Sequence, residues 1–349
     1  WIMEQLSGTP GCWMPMAPTV KPGMIKGYGM QAFAHGADAV INFRFRSAVG
    51  GAEMFWHGLI DHSNVPGRRY EELYRTVKNL KHMEGTEIRS GVALLCGFES
   101  EYAFSLQLQA EGAYYLEQMQ AFHSAFTHYG VNVDIIDQEA DLGKYRIVVA
   151  PAMYVRSQKA SDQLHIFAQN GGIVLLTARS GVKDEHNNCI MQPLPAGYSD
   201  MTGCWGEEYD AVGNRKIPVI MDGQYYQGMR WCDIIRTESA ETLAVYGENF
   251  YAGKAAVTKN SYGKGCVYYI GTVGLPGLCR RLAEEMLRQT DIPYVENLPE
   301  RVEVTVREGK GKRFTFLFNN DEAAKEFDFR GIPMRMEPFE MKVLEGGEV

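Results

Sequence analysis

Apolar and polar positions along the chain fall into three textures. Up to about residue 88, short apolar runs are broken by Gly, Pro, Met and aromatic residues. Residues 1–3 (Trp-Ile-Met) predict the end of a buried strand, 25–35 a short helix and 39–45 (AVINFRF) a strand. Within 69–83, Tyr70, Leu73, Tyr74, Val77 and Leu80 recur close to helical spacing. From about 87 to 299, short apolar strands alternate with amphipathic helices. Strands are predicted at 92–96, 131–136, 145–150 (YRIVVA) and 173–177 (IVLLT), with helices at 112–129 and 160–169. The unbroken apolar runs suit parallel strands buried on both faces. The stretch 179–235 is irregular, punctuated by Gly, Pro and Asn. Strands return at 242–246, 255–259 and 265–271, with Tyr262-Gly263-Lys264-Gly265 as a hairpin turn, and 278–289 predicts a closing helix. From 300 onward the pattern alternates: Val302, Val304 and Val306, then Phe314, Phe316 and Phe318, then Phe327 and Phe329.

These textures predict an α/β protein in three parts. Residues 1–88 have the strand–helix rhythm of a (β/α) barrel, but two such units cannot close one, so they read as the end of a barrel. Residues 89–299 read as a doubly wound α/β domain, and 300–349 as a small antiparallel β-domain.

Composition narrows the function classes. The 349 residues are 45% hydrophobic and carry a net charge of −8 without a Lys/Arg-rich block, which argues against a nucleic-acid partner. No apolar run is long enough to span a bilayer, so no membrane partner is expected; the longest, 145–155, is broken by Pro151. The seven cysteines form neither a CxxC pair nor a Cys/His cluster, so no metal is expected. No GxGxxG or P-loop indicates a nucleotide, and no cofactor is expected. Unpatterned cysteines and the lack of a basic leader before residues 1–3 predict a cytoplasmic protein. A chain opening at Trp1 in mid-strand is expected to be part of a longer one.

Candidate chemistry follows the two early strands. In Trp1-Ile2-Met3-Glu4-Gln5 a carboxylate ends an apolar strand, where barrel enzymes place catalytic groups, and Gly11 and Trp13 follow. By itself, such a Glu reads more readily as a surface or capping residue. After the second strand, Phe43-Arg44-Phe45-Arg46 leads into Gly50-Gly51-Ala52-Glu53-Met54-Phe55-Trp56-His57-Gly58. If 53–57 were helical, Glu53 and His57 would share a face and could grip a pair of sugar hydroxyls. The alternative is a Glu–His surface pair beside a core Trp.

Residues 1–11, the strand HGADAVINFRFR, the loop GGAEMFWHGLIDH and the segment PGRRYEEL resemble the last part of the catalytic barrel of glycoside hydrolase family 42, the β-galactosidases. The resemblance continues through VNVDIID, DLGKYRIVVAPAMYV and GGIVLLTARSG, similar to the family's trimerisation domain, and into the C-terminal β-segment. It implies a retaining β-galactosidase acting on β-galactosides as a homotrimer. Carried over by residue, Glu4 matches the nucleophile of the Met-Glu-Gln motif. Trp13, displaced by one residue, resembles the tryptophan of the sugar pocket, and Phe43 an aromatic lining it. Glu53 and His57 resemble the pair that binds galactose hydroxyls, with Trp56 lengthening their spacing. The family's acid/base follows an Asn on an earlier strand. Among the acids near Glu4 (Asp38, Glu53 and Asp61), none has that context, so the chain is expected to lack the acid/base half. The alternative is a non-catalytic trimerisation and carbohydrate-interaction fragment.

The middle domain also resembles the class I glutamine amidotransferase fold. Those enzymes place a cysteine on a tight turn after a strand, activated by a histidine. Here the turn reads Leu176-Thr177-Ala178-Arg179-Ser180-Gly181, and Cys96-Gly97 has no histidine motif beside it. The domain is therefore expected to be non-catalytic.

Overall fold

The computed structural model describes residues 1–111 and 114–346. The described chain forms two compact units: one of 1–89, 128–132 and 295–349, the other of 90–127 and 133–294.

In the first unit, strand Ile2–Leu6 pairs in parallel with Val40–Phe43, and helices Met24–Ala34 and Arg68–His82 follow the two strands. The predicted elements at 25–35, 39–45 and 69–83 are thus present with slightly different ends. Burial at the first strand differs from expectation. Trp1, Ile2 and Met3 are exposed by 77%, 37% and 66%, because this sheet has only two strands and only Leu6 reaches the small core of Val20, Ile25 and Leu59. A register shift between Ile2 and Gln5 places a bulge at Met3 and Glu4.

Strands Val302–Gly309, Lys312–Asn319 and Met341–Glu345 form an antiparallel sheet in the same unit, and the two-residue strand Glu87–Ile88 joins its edge. The alternation predicted there is present, with both faces of the central strand buried. Phe314, Phe316 and Phe318 pack with Met30, Ala34 and Met83. Leu317 packs on the other side with Val302, Val304, Phe329 and Met336, the last two from the hairpin Lys325–Phe329 and Ile332–Met336. Arg307, almost fully buried, lies 3.9 Å from the Phe33 ring and donates to the carbonyls of Phe33 and Thr86. Glu303 accepts from Gln31 Nε2 at 2.8 Å and Asn320 Nδ2 at 3.1 Å, and pairs with His35.

The second unit is built on a ten-stranded sheet. Its parallel part runs Val133–Asp137, Val92–Cys96, Ile147–Ala150, Ile173–Thr177 and Gly265–Ile270 in spatial order. The two central strands are buried at nearly every residue, which is why their continuous apolar runs carry no period. Helices Gln158–Gln169 and Pro276–Leu287 match the predicted ones. The helix expected at 112–129 is seen as Tyr114–Thr127; residues 112 and 113 lie outside the described residues. Tyr262 and Gly265 close the predicted hairpin.

The irregular stretch 179–235 contains a long hairpin, Cys204–Met221 against Gln224–Thr237. Three register shifts interrupt its pairing, each resetting the alternation by which a strand is recognised. Its turn is Asp222-Gly223, both at positive φ (51° and 72°), the backbone that a two-residue hairpin loop demands. Helix Phe98–Leu106 was also not predicted. Phe98, Tyr102 and Leu106 point outward at 64%, 64% and 74% exposure while Ala103 and Phe104 are buried, so its apolar residues lie on both faces and mark no single stripe.

Two outcomes follow. Burial alone would raise the Glu303 carboxyl, but the hydrogen bond and charge of His35, with the Gln31 and Asn320 amides, hold it below its ordinary value. A carboxyl depressed in the fold stabilises above its unfolded value, about 4.3, and that stabilisation is lost as pH falls through the folded value. Glu303→Gln should therefore lower stability at pH 7 by about 1–3 kcal/mol in urea unfolding. The gap to wild type should shrink below about pH 4; a gap independent of pH would refute the assignment. Second, the amides of Ile2–Leu6 should exchange with deuterium faster than those of Ile147–Ala150 and Ile173–Thr177. Equal protection would show that the first strand is covered in solution.

Candidate active site

The candidate residues of the first unit gather at the carboxyl ends of its two parallel strands. Leu6 is the register partner of Phe43, and Ser7 N–H donates to the Phe43 carbonyl at 3.2 Å, so chain 7–10 leaves beside 44–47. Segment 57–60 is laid along the second exit: Leu59 N–H reaches the Arg44 carbonyl, Ile60 N–H the Phe45 carbonyl, and Ser47 N–H the Ile60 carbonyl, at 2.9–3.1 Å. His57 N–H donates to the Thr9 carbonyl at 3.0 Å, tying the two exits together. Gly8 permits this approach, since a Cβ there would lie 2.5 Å from the His57 carbonyl oxygen.

Glu4 is exposed at the bulge, two residues before the Leu6–Phe43 pairing, and forms no ion pair among the described residues. Trp13, Phe43 and Trp56 form an aromatic group. The Trp56 ring lies 5.3 Å from Trp13 and 6.2 Å from Phe43, and Trp13 is 68% exposed. Residues 51–56 form turns rather than a helix, so Glu53 and His57 do not share a helical face. The Gly50-Gly51 start favours that turn over a helix. Each residue has its own partner instead. Glu53 pairs with Arg44, whose guanidinium lies 4.4 Å from the Phe43 ring. His57 Nδ1 is 3.2 Å from the Thr9 carbonyl oxygen. A Glu53–His57 pair is not formed.

The other acids weighed from the sequence have other partners. Asp61 accepts hydrogen bonds from Ser63, which hold its carboxyl below the ordinary range, with Arg69 at 3.7 Å. Asp38 lies on the loop before Val40–Phe43. Arg44 and Trp56 join the site without having been singled out. The signal was their position, one residue beyond Phe43 and one before His57. Three polar atoms in this region, Ser7 Oγ, Arg44 Nε and Trp56 Nε1, are buried with no hydrogen-bond partner among the described residues. Such atoms cost free energy unless water or a ligand satisfies them.

The turn positions after two strands of the second unit carry other groups than the amidotransferase resemblance requires, or leave them without that motif. At the turn following Ile173–Thr177 the left-handed backbone position (φ 70°) belongs to Arg179. Cys96 ends its strand, and the adjacent Gly97 N–H donates to the Tyr115 hydroxyl. All seven cysteines are free.

Three family models match the chain in order: "Beta-galactosidase" over 1–83, "Beta-galactosidase trimerisation domain" over 90–293 and "Beta-galactosidase C-terminal domain" over 301–346. Beta-galactosidase BgaA of Clostridium cellulovorans is 42% identical over 99% of this chain and 55% of its own length. The crystal structure of a β-galactosidase from Rahnella sp. R3 superposes with a TM-score of 0.91 at 28% identity, over 99% of this chain and 54% of that one. A β-galactosidase from the haloarchaeon Halorubrum lacusprofundi gives the same TM-score and identity, over 99% and 53%. The chain spans about half the length of the curated relatives it matches. With the trimerisation model alone covering more than half of its residues, the chain belongs to the β-galactosidases of glycoside hydrolase family 42.

Proposed function

We propose that this chain is part of a retaining β-galactosidase that hydrolyses terminal β-galactosides by double displacement, with Glu4 as nucleophile. The ordered match of three β-galactosidase models across the chain carries the reading. Its domains are then 1–88, the end of the catalytic barrel; 89–299, a doubly wound, amidotransferase-like domain without catalysis; and 300–349, the C-terminal β-domain. The 2-1-3-4 order of the first four parallel strands supports the middle assignment.

In this mechanism the Glu4 carboxylate attacks the anomeric carbon and the leaving oxygen departs. A second carboxyl protonates that oxygen, then takes a proton from the water that releases galactose. Exposure at the bulge within the first strand, rather than after its end as the sequence suggested, leaves Glu4 free to approach a sugar. Trp13, Phe43 and Trp56 offer ring faces to its apolar side, while Glu53 and His57 suit its hydroxyls. Glu53 is engaged by Arg44 and Asp61 by Ser63, so neither suits the proton donor, and we assign that role to residues beyond these 349. A homotrimer is supported by the trimerisation model over 90–293. A reducing, cytoplasmic setting is supported by the seven free cysteines, four of them buried.

The test uses a dinitrophenyl 2-fluoro-β-galactoside, whose leaving group departs without a proton and whose glycosyl-enzyme persists. Mass spectrometry of the purified chain should find the sugar on the peptide carrying Glu4, and none in Glu4→Gln. Where turnover of a nitrophenyl β-galactoside is measurable, the same substitution should cut it by roughly 10³-fold or more. A label on another carboxylate would overturn the nucleophile. Light scattering should give a mass of three chains; a monomer at micromolar concentration would overturn the trimer.

A further inference from the structure

Two cations of the α/β unit are almost fully removed from water with no carboxylate in ion-pair contact among the described residues; the buried Asp233 carboxyl acts on Arg179 from beyond that distance and is itself bonded to Trp231 Nε1 and the Tyr269 hydroxyl. Arg179 and Lys183 are 7% and 4% exposed and form no ion pair among the described residues. Both follow strand Ile173–Thr177, and both hydrogen-bond to neutral amides. Arg179 Nη2 donates to Gln109 Oε1, and Lys183 Nζ to Gln107 Oε1 at 2.7 Å. The Tyr154 ring neighbours both, 5.6 Å from the guanidinium and 5.8 Å from the ammonium. Trp231 and Tyr209 approach Arg179 at 4.3 and 5.5 Å. Arg179 Nε is buried with no hydrogen-bond partner among the described residues.

Arg179 forms one wall of a cavity of about 130 Å³, whose other walls include Glu101, Phe104, Leu108, Tyr115, Leu116 and Trp231. The cavity lies by the exit of a parallel strand, where open α/β sheets bind ligands. A buried charge is costly unless paired. Aromatic faces and one amide offset part of that cost here, but the Nε–H still lacks an acceptor. The rings are already used: Tyr154 stacks on Phe104 at 4.2 Å and Trp231 on Tyr209 at 4.6 Å. They leave an apolar wall rather than an open platform for a sugar. Glu101 adds one negative charge to the lining, which disfavours a ligand with more than one charge of that sign.

We propose that this cavity binds a small organic monocarboxylate, with its carboxylate on the Arg179 guanidinium and its apolar body against Phe104, Leu108, Tyr115 and Leu116. Lys183, behind Tyr154, adds positive potential. The site is independent of Glu4 and of the β-galactosidase reading.

Calorimetric titration of the purified chain with benzoate tests this, with benzamide as the uncharged analogue and inorganic phosphate as the polyanion. Benzoate should bind saturably, one per chain, and benzamide roughly tenfold more weakly or not at all, since the guanidinium bonds best to an ionised acceptor. Phosphate should bind more weakly than benzoate. Glu101→Gln should tighten benzoate by about two- to fivefold through loss of like-charge repulsion. Arg179→Gln, checked for folding by circular dichroism, should abolish binding; if it does not fold, the Glu101 variant and the benzamide comparison decide. Any of four results would overturn the proposal: no saturation by benzoate, equal binding of benzamide, tighter binding of phosphate, or unchanged benzoate affinity in Glu101→Gln.

Discussion

A single strand buried on both faces organises the first unit. Lys312–Asn319 sends Phe314, Phe316 and Phe318 into the helix Met24–Ala34 and Met83, and Leu317 into the opposite core with Val302, Val304 and Met336. A two-stranded parallel sheet cannot cover the apolar stripes of its own helices, and two-stranded sheets are marginal without packing partners. The C-terminal sheet supplies that cover for Met30 and Ala34. The segment that carries Glu4 and the segment that ends the chain are therefore one folding unit, although they stand far apart in sequence.

Burial of that strand has an electrostatic consequence on its neighbour. Val302–Gly309 carries Glu303 and Arg307 into places where water is scarce. Arg307 is satisfied by two backbone carbonyls, the Thr86 hydroxyl and the Phe33 ring rather than by a carboxylate. Burial holds its pKa below the ordinary arginine value, against the raising charges of Asp38 and Glu87. Carbonyls at the end of a helix attract a cation at less desolvation cost than a second buried ion would bring. These contacts fix how the chain leaves helix Met24–Ala34 and so where Val40–Phe43 begins.

What was legible in the sequence followed from how uniformly each element is buried. Ile173–Thr177 and Val92–Cys96 could be bounded to the residue because every position between polar ends is apolar. Arg68–His82 showed its helical period because only one face is covered. The signal failed where apolar residues face outward, as in Phe98–Leu106, and where bulges reset the alternation, as in Cys204–Met221. Residues 1–3 read as buried because apolar side chains usually are, a rule that says nothing about how many strands lie beside them. At the candidate site, residue types and order were legible, but pairing was not. Glu53 finds Arg44 across nine residues, and His57 finds a backbone carbonyl that no side-chain pattern announces.

The turn after Ile173–Thr177 holds a strained backbone position in a fixed frame. Thr177 Oγ1 accepts from Ala152 N–H, and Ser180 Oγ accepts from Met153 N–H while donating to the Thr177 carbonyl, so the turn is fixed from both sides. In that frame residue 179 adopts φ 70°, which costs a non-glycine residue about 1–2 kcal/mol. The Arg179 guanidinium reaches aromatic faces and the wall of the cavity. The strained position thus sets a guanidinium at the carboxyl end of the sheet, where it suits the carboxylate proposed above.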